Sequence, residues 1–235
     1  MLAIHSIYLA TEGEGVKIGT PQIFVRFQGC SIGCLNCDSK ETWEFDENYT
    51  QIENVITQIE EQAGDYPRRI KRVSITGGDP LHPKHLAGVI ELAGELKKCG
   101  YYINIEAAGT RAPDELFDIV DFVSFDFKTP STGVKTNIRL LEKIISQYQE
   151  KSQIKSVIAD KKDFEFVYDV YSQILEKFDH LLKTPWVLTP CYEPHEDFPK
   201  DRFIEIFNLN QEFGSPFRVI GQQHKWVFGP EKKNV

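Results

Sequence analysis

The chain has 235 residues, of which 41% are hydrophobic, and it carries a formal net charge of −8 at pH 7. This length suits one α/β domain, and the apolar fraction is large enough to build a core. A protein that coats nucleic acid usually presents a basic face, so the acidic balance argues against that class. Because no apolar run is long enough to span a membrane and Met1–Ala10 does not resemble a signal peptide, we expect a cytoplasmic protein.

Short β-rich runs alternate with segments of helical period along the chain. The predicted strands are Ala3–Tyr8, Gln22–Phe27, Arg72–Ile75, Tyr102–Ile105, Phe122–Phe125, Ile154–Ile158 and Trp186–Leu188. The predicted helices are Ile52–Ile59, Leu86–Leu96, Asn137–Ser146, Phe164–Lys177 and Arg202–Phe213. This alternation is typical of βαβ units with a parallel sheet. It favours an α/β fold, an incomplete (β/α) TIM-like barrel in one domain spanning residues 1–235, with its chemistry at the carboxyl ends of the strands.

Three of the five cysteines, Cys30, Cys34 and Cys37, lie within eight residues directly after a predicted strand. Disulfides are not expected in a reducing compartment, whereas thiolates are the ligands that Zn²⁺ and iron–sulfur clusters favour. A structural zinc site requires four ligands, but three cysteines suffice for a [4Fe–4S] cubane that leaves one iron open. The spacing therefore favours a cluster. The alternative is a zinc-binding interaction module completed by a distant ligand such as Cys99 or Cys191.

Polar residues also follow other predicted strands, where a barrel places its active site. The two glycines of Gly77–Asp79 would let the backbone approach a ligand closely, and the acid could hold an ammonium group. Glu106 ends the next strand, and Asp126 and Lys128 follow the one after it. These positions predict a binding edge beside the cysteines.

The CxxxCxxC spacing resembles the signature of the radical S-adenosylmethionine (SAM) superfamily. In that superfamily the open iron chelates SAM, and an electron from the cluster cleaves SAM to a 5′-deoxyadenosyl radical. The resemblance implies a [4Fe–4S] cluster and SAM as cofactors, and an electron donor such as flavodoxin or ferredoxin. The segment ending in Asp79 resembles the Gly-Gly-Glu motif of the superfamily, with Asp in place of Glu. The implied SAM contacts are Asn36, Asp38, Gly77, Gly78, Asp79, Glu106, Ser124, Asp126, Lys128, Thr189 and Pro190.

Upstream, Thr11–Gly15 and Gly19–Cys30 resemble the opening of the 7-carboxy-7-deazaguanine synthase family. The similarity is strong as far as Trp43 and looser afterwards, and it ends at Gln223–Lys225. It implies a lyase that contracts the ring of an anionic pterin, 6-carboxy-5,6,7,8-tetrahydropterin, with loss of ammonia, in queuosine or archaeosine biosynthesis. It also implies Mg²⁺ bound by Ser39, and a homodimer. The implied substrate contacts are Thr11, Glu12, Gly13, Glu14, Arg26, Thr76, His224 and Pro230, with the guanidinium suited to the substrate carboxylate.

The sequence departs from the family pattern at several positions. Glu12 stands where the family usually has Gln, and an ionised carboxylate accepts hydrogen bonds but cannot donate them. Five residues follow Pro230, near which some relatives end. A small radical SAM activase of a glycyl radical enzyme is the alternative within the superfamily. Such an activase would not need Arg26, Ser39 and His224 to converge on a small anion.

Overall fold

One eight-stranded sheet organises the described part of this computed structural model, residues 1–46, 48–67, 69–178, 182–193 and 196–235. Its strands follow one another in chain order: β1 Ile4–Thr11, β2 Pro21–Phe27, β3 Arg72–Gly77, β4 Tyr102–Ala107, β5 Phe122–Asp126, β6 Ser152–Ile158, β7 Trp186–Pro190 and β8 Arg218–Val219. β1 is antiparallel to β2, and all other neighbouring pairs are parallel. The open, mostly parallel sheet confirms the predicted α/β class and the incomplete barrel.

Helices connect the successive parallel strands, and a last helix follows β8. They are α1 Ile52–Ala63, α2 Leu86–Lys98, α3 Asp114–Phe117, α4 Ile138–Gln147, α5 Lys161–Lys177, α6 Lys200–Glu212 and α7 Gln223–Phe228. The predictions missed β8, α3 and α7, which have only two, four and six residues. Elements this short contain too few residues to show a period of 2 or 3.6. None of the described helices is long and apolar enough to cross a bilayer.

The two faces of the sheet differ in polarity, because alternate residues of a strand point to opposite faces. On β2, Ile23, Val25 and Phe27 join the apolar core with the inward faces of the helices. The residues between them include Arg26, which pairs in register with Thr76 of β3 and lines a cavity on the other face. Burial of the apolar face stabilises the sheet, and the opposite face is left to carry functional groups.

Candidate active site

A cavity of about 280 Å³ lies on the polar face of the sheet, beside the cysteine segment. It is lined by most of the residues predicted from the sequence: Thr11, Glu12, Gly13, Glu14, Arg26, Cys30, Cys34, Asn36, Cys37, Asp38, Ser39, Thr76, Gly77, Gly78, Glu106, Asp126, Lys128, His224 and Pro230. Four predicted SAM contacts are absent from this lining: Asp79, Ser124, Thr189 and Pro190. The fold thus brings residues from both ends of the chain to one cavity.

The loop that carries Cys30, Cys34 and Cys37, here called the cysteine loop, directly follows β2 and is closed by backbone hydrogen bonds. Gly29 N donates to Thr42 O over 2.7 Å, and Cys30 N donates to the carbonyl oxygen of Trp43 over 2.9 Å. The sulfur of Cys37 accepts hydrogen bonds from Trp43 Nε1 at 3.3 Å and from Ser39 N at 3.4 Å. Hydrogen bonds to sulfur stabilise a thiolate and tune a cluster bound to it.

All three sulfurs of the loop are only partly buried and line the same cavity. Burial raises the pKa of the Cys34 thiol, and the nearby Lys128 ammonium opposes this effect. Three thiolates on one cavity are the soft donors that iron–sulfur clusters take, so the donor set fits a [4Fe–4S] cluster.

Cys191 was expected to be remote, but the structure places it on the wall of the same cavity. Burial, together with the neighbouring Glu193, raises the pKa of Cys191 to about 11. The thiolate that a metal would bind is therefore harder to form at Cys191 than at an ordinary cysteine. Cys99 lies exposed at the end of α2.

The glycine pair after β3 packs directly against the cysteine loop. Gly77 has a φ of +128°, and a Cβ on Gly78 would lie 2.6 Å from the carbonyl oxygen of Gly29. Gly78 N donates to Phe27 O over 3.0 Å, and Asp79 N donates to Gly29 O over 2.9 Å. The close approach of two backbones therefore requires glycine here, in addition to any approach by a ligand.

The carboxylate of Asp79 is completely buried and is held within the protein. It accepts hydrogen bonds from Leu81 N at 3.0 Å and from Arg111 Nη1 at 3.2 Å. Burial raises the pKa of Asp79, and these two partners oppose that effect. The structure thus places this acid with Arg111 and not on the cavity wall.

The other three residues outside the lining are also buried in the sheet. Ser124 Oγ accepts a hydrogen bond from Gln153 Nε2 over 2.8 Å. Thr189 and Pro190 lie in β7, and Thr189 Oγ1 has no hydrogen-bond partner among the described residues. These positions lie below the surface that a ligand in the cavity would touch.

A buried lysine on β6 joins the acidic side chains of the cavity. Lys155 Nζ lies 3.1 Å from Glu14 Oε1, 3.3 Å from Glu106 Oε2 and 3.6 Å from Asp126 Oδ1. The sequence analysis did not identify Lys155 as a site residue. A charged residue inside the predicted strand Ile154–Ile158 was the available signal, because a buried charge requires partners.

Glu12 is buried where the chain leaves β1. Its carboxyl group accepts hydrogen bonds from Gln22 Nε2 at 2.6 Å and from Glu14 N at 3.3 Å. Burial, with the nearby charges of Glu106 and Glu14, raises the pKa of Glu12 to about 8. At neutral pH this side chain therefore carries a proton, so it can both donate and accept a hydrogen bond, as a Gln does.

Arg26 is oriented by two neutral hydroxyl groups on the cavity wall. Its Nη2 donates to Tyr8 Oη over 2.9 Å, and its Nη1 donates to Ser39 Oγ over 3.4 Å. These contacts hold the guanidinium without neutralising its charge. Ser39 Oγ in turn donates to Asp38 Oδ1 over 3.0 Å, so Arg26 is linked to the cysteine loop.

The short helix α7 closes the cavity over the loop after β1, which contains Glu12 and Glu14. Gln223 N donates to Gly13 O over 2.7 Å, and a Cβ on Gly13 would lie 2.0 Å from Nδ1 of His224. Burial lowers the pKa of His224, while the charge of Glu14 opposes this effect. Lys225 forms an ion pair with Asp38 at 3.2 Å, next to Cys37.

Comparisons with known proteins identify the family. A family described as a 4Fe-4S single cluster domain matches residues 11–110. The 7-carboxy-7-deazaguanine synthase of Methanospirillum hungatei is 30% identical over 228 residues, which cover 96% of this chain and 85% of the relative. The synthase of Bacillus subtilis is 32% identical over 171 residues, covering 69% of this chain and 68% of the relative.

The fold of the chain is also that of a solved structure. The crystal structure of QueE from Escherichia coli matches with a TM-score of 0.67 at 23% identity, covering 95% of this chain and 94% of that chain. The named relatives favour the synthase over the glycyl-radical activase, and the cluster-domain match favours a cluster over the zinc module. The chain therefore belongs to the 7-carboxy-7-deazaguanine synthase family of radical SAM enzymes, which use a [4Fe–4S] cluster and SAM.

Proposed function

We propose that the chain is a carbon–nitrogen lyase that contracts the ring of 6-carboxy-5,6,7,8-tetrahydropterin to 7-carboxy-7-deazaguanine, with loss of ammonia. The observation that carries this proposal is the meeting of the cysteine loop, Arg26, Glu14 and His224 in one cavity. When bound at this site, the cluster and SAM would supply a 5′-deoxyadenosyl radical that removes a hydrogen atom from the substrate. The whole chain, 1–235, would form one radical SAM domain, because a single sheet runs from β1 to β8.

The polar groups of the cavity suit the two ends of the substrate. Arg26 would bind the carboxylate, because its planar guanidinium matches that group with two hydrogen bonds. Glu14 would accept hydrogen bonds from the amino and amide edge, and the neutral Glu12 would donate one. His224, whose pKa is lowered by burial, would be neutral and would cap the ring plane. The other proposed substrate contacts are Thr11, Gly13, Thr76 and Pro230, which line the cavity.

The SAM contacts would lie along the cysteine loop and the neighbouring strand ends. We assign them to the predicted residues that line the cavity, Asn36, Asp38, Gly77, Gly78, Glu106, Asp126 and Lys128. Buried Asp79, Ser124, Thr189 and Pro190 would support this surface from behind. The cysteines Cys30, Cys34 and Cys37 would hold the cluster. The hydrogen bonds to the Cys37 sulfur would orient this ligand and stabilise its thiolate.

Mg²⁺ would bind beside the cysteine loop. The Ser39 hydroxyl is a hard oxygen donor of the kind that this ion takes. Mg²⁺ usually keeps several waters and shares oxygens of the substrate, so one protein ligand is sufficient. The ion would then help Arg26 to hold the substrate carboxylate.

The proposed partners follow the family pattern. A flavodoxin or ferredoxin would reduce the cluster, and Leu35, 70% exposed between Cys34 and Cys37, leaves this loop accessible from outside. A homodimer is supported by exposed apolar side chains of α6 and α7, including Phe207 and Trp226, since such patches often mark protein contacts. A reducing cytoplasm would keep the cluster thiols available.

An anaerobic assay tests the proposed reaction. Protein reconstituted with iron and sulfide should form 7-carboxy-7-deazaguanine from the carboxytetrahydropterin in the presence of SAM, Mg²⁺ and a reductant, as detected by mass spectrometry. Reductive cleavage of SAM without this product would refute the substrate assignment and leave the radical chemistry standing. A colourless protein that binds only zinc would refute both.

Replacement of Arg26 tests the carboxylate contact. Arg26→Met should raise the KM for the pterin by roughly 10- to 100-fold, because a charged hydrogen bond of about 1.5–3 kcal/mol is lost. The exposed Arg139 on α4 offers a matched control, and Arg139→Met should leave KM unchanged. An unchanged KM in Arg26→Met would show that the carboxylate binds elsewhere.

A further inference from the structure

We propose that Lys155 is a positioning residue that holds Glu14, on the substrate side, and Glu106 and Asp126, on the SAM side, in one cluster and so fixes the pterin relative to the cofactor. This inference rests on the proposed function for the identity of the two ligands. The contacts that define the cluster do not depend on it. Lys155 is not one of the residues that the family resemblance implies.

The three carboxylates come from three separate elements, and one ammonium group joins them. Glu14 lies in the loop after β1, Glu106 on β4 and Asp126 at the end of β5. Their distances from Lys155 Nζ are 3.1, 3.3 and 3.6 Å. The lysine side chain is 8% exposed, whereas the carboxylate side chains are 21–26% exposed. The lysine is therefore more buried than the acids, and all four side chains line the cavity.

The acids depend on Lys155 to different degrees. Asp126 has a second cation, because Lys128 Nζ lies 2.7 Å from Asp126 Oδ2. Among the described residues, Lys155 is the one cation that forms an ion pair with Glu14 or with Glu106. Removal of its charge would therefore leave these two acids next to other carboxylates with neutral amide donors in place of a cation, Asn104 Nδ2 at 2.8 Å from Glu106 and Gln222 Nε2 at 3.5 Å from Glu14. Because like charges at this separation repel, Glu14 and Glu106 should move apart.

Several titratable groups face this cluster from the surrounding elements. They are Glu12 and Glu14 in the loop after β1, Glu106 on β4, Asp126 and Lys128 at the end of β5, and His224 on α7. Burial acts to raise the pKa of Asp126, but Lys128 and Lys155 lower it, so without Lys155 protonation of Asp126 becomes easier. A loss of ligand affinity on acidification should then begin at a higher pH.

Lys155→Met, which keeps most of the length of the side chain and removes its charge, provides the direct test in the reconstituted holoenzyme. We expect the KM for the pterin to rise about tenfold, the size of effect typical of a buried ion-pair network. The affinity for SAM, measured by calorimetry, should also fall, and the acid limb of its pH profile should move to higher pH. More SAM should be cleaved for each molecule of product. Lys97→Met, which removes the peripheral ion pair of 2.7 Å with Asp121, is the matched control and should change none of these quantities.

A second variant keeps the lysine and changes an acid on the SAM side, so it tests whether that side is coupled to Glu14 through Lys155. Glu106→Gln should change the KM for the pterin about threefold even at saturating SAM, because without the Glu106 charge Lys155 Nζ shifts toward Glu14 and Asp126 and moves Glu14 with it. An unchanged pterin KM in Glu106→Gln would overturn the positioning role. This measurement also tests the proposal if Lys155→Met does not fold. Unchanged SAM affinity and pH profile in a folded Lys155→Met would also overturn it.

The failure of this proposal can be separated from the failure of the proposed function. If the wild-type protein binds and cleaves SAM but makes no deazaguanine, the substrate assignment fails. The calorimetric affinity for SAM and its pH profile still test the role of Lys155, because neither measurement needs the pterin.

Discussion

At the scale of single residues, Glu12 explains how a carboxyl group can occupy a position where the family usually has an amide. The buried site raises the pKa of Glu12 to about 8, so the side chain is neutral at pH 7. A neutral carboxyl group has one donor and retains acceptor capacity, which matches the hydrogen-bonding pattern of Gln. A protonated Glu12 can therefore make the hydrogen bonds that an amide would make at this position.

The raised pKa of Glu12 makes the stability of the protein depend on pH. Between the ordinary pKa of 4.5 and about 8, the folded state keeps a proton that the unfolded state releases. The free energy of unfolding should therefore fall as pH rises through this window, and Glu12→Gln should remove this part of the slope. Urea unfolding at several pH values measures it, with the exposed Glu115→Gln of α3 as the control. Equal slopes in the wild type and in Glu12→Gln would contradict the prediction.

The same residue should limit substrate binding at alkaline pH. Above about pH 8, Glu12 loses its proton and can no longer donate a hydrogen bond to the pterin. The wild-type KM for the pterin should therefore rise through this range, whereas the KM of Glu12→Gln should stay flat. A parallel rise in both proteins would assign the alkaline effect to another group.

At the scale of secondary-structure elements, the docking of α7 completes the cavity. The helix has only six residues, so its position depends on contacts with the loop after β1. The ring of His224 covers Gly13, and a Cβ at this position would lie 2.0 Å from the ring. A small residue is thus needed at Gly13 to let the C-terminal helix approach.

Gly13→Ala should displace α7. The added methyl group forces the His224 ring to move, so amide protection in Gln223–Phe228 should fall and the KM for the pterin should rise several-fold, as expected for local opening of a binding element. Hydrogen exchange measured by mass spectrometry detects the first effect. Gly94→Ala in α2 is the control, since a Cβ there meets no atom within 4 Å and a Gly-to-Ala change in a helix stabilises by about 0.5–1 kcal/mol. Unchanged protection of α7 in Gly13→Ala would contradict this account.

At the scale of the whole molecule, an ion pair joins the last helix to the cysteine loop. Lys225 of α7 lies 3.2 Å from Asp38, which directly follows the third cysteine of the loop. The Lys225 side chain is buried, whereas the Asp38 side chain is 52% exposed, so solvent screens this ion pair from one end. Closure of the cavity by α7 and the geometry of the cluster loop are therefore coupled.

Lys225→Met should make the cluster more labile. Loss of the ion pair frees Asp38 and loosens the segment after Cys37, so an iron chelator should remove the cluster several-fold faster under anaerobic conditions. Loss of visible absorbance follows this reaction. Lys183→Met, which breaks an exposed ion pair with Glu150, should leave the rate unchanged. Equal rates in the Lys225 variant and the wild type would show that α7 does not support the loop.

Much of the fold and part of the site could be predicted because the signals lie in contiguous residues. Cys30, Cys34 and Cys37 occupy one loop, and the strand and helix periods of β2 to α6 are local patterns. The same local patterns failed for β8 and α7, whose positions depend on distant contacts. They also could not show that Asp79 pairs with Arg111, because the turn that contains Asp79 is visible in the sequence but its distant partner is not.

The sequence by itself determined the α/β class and the family, and it predicted the proposed cluster ligands and many residues that line the cavity, because each is encoded in short motifs. Only the tertiary structure decided which charges meet. Lys155 and Glu14 are 141 positions apart, yet their side chains lie 3.1 Å apart. The protonation of Glu12 likewise depends on burial and on Glu106, which a linear pattern does not contain. Electrostatic energies depend on distance and solvent exposure in three dimensions, and both are set only when the chain folds around the cavity.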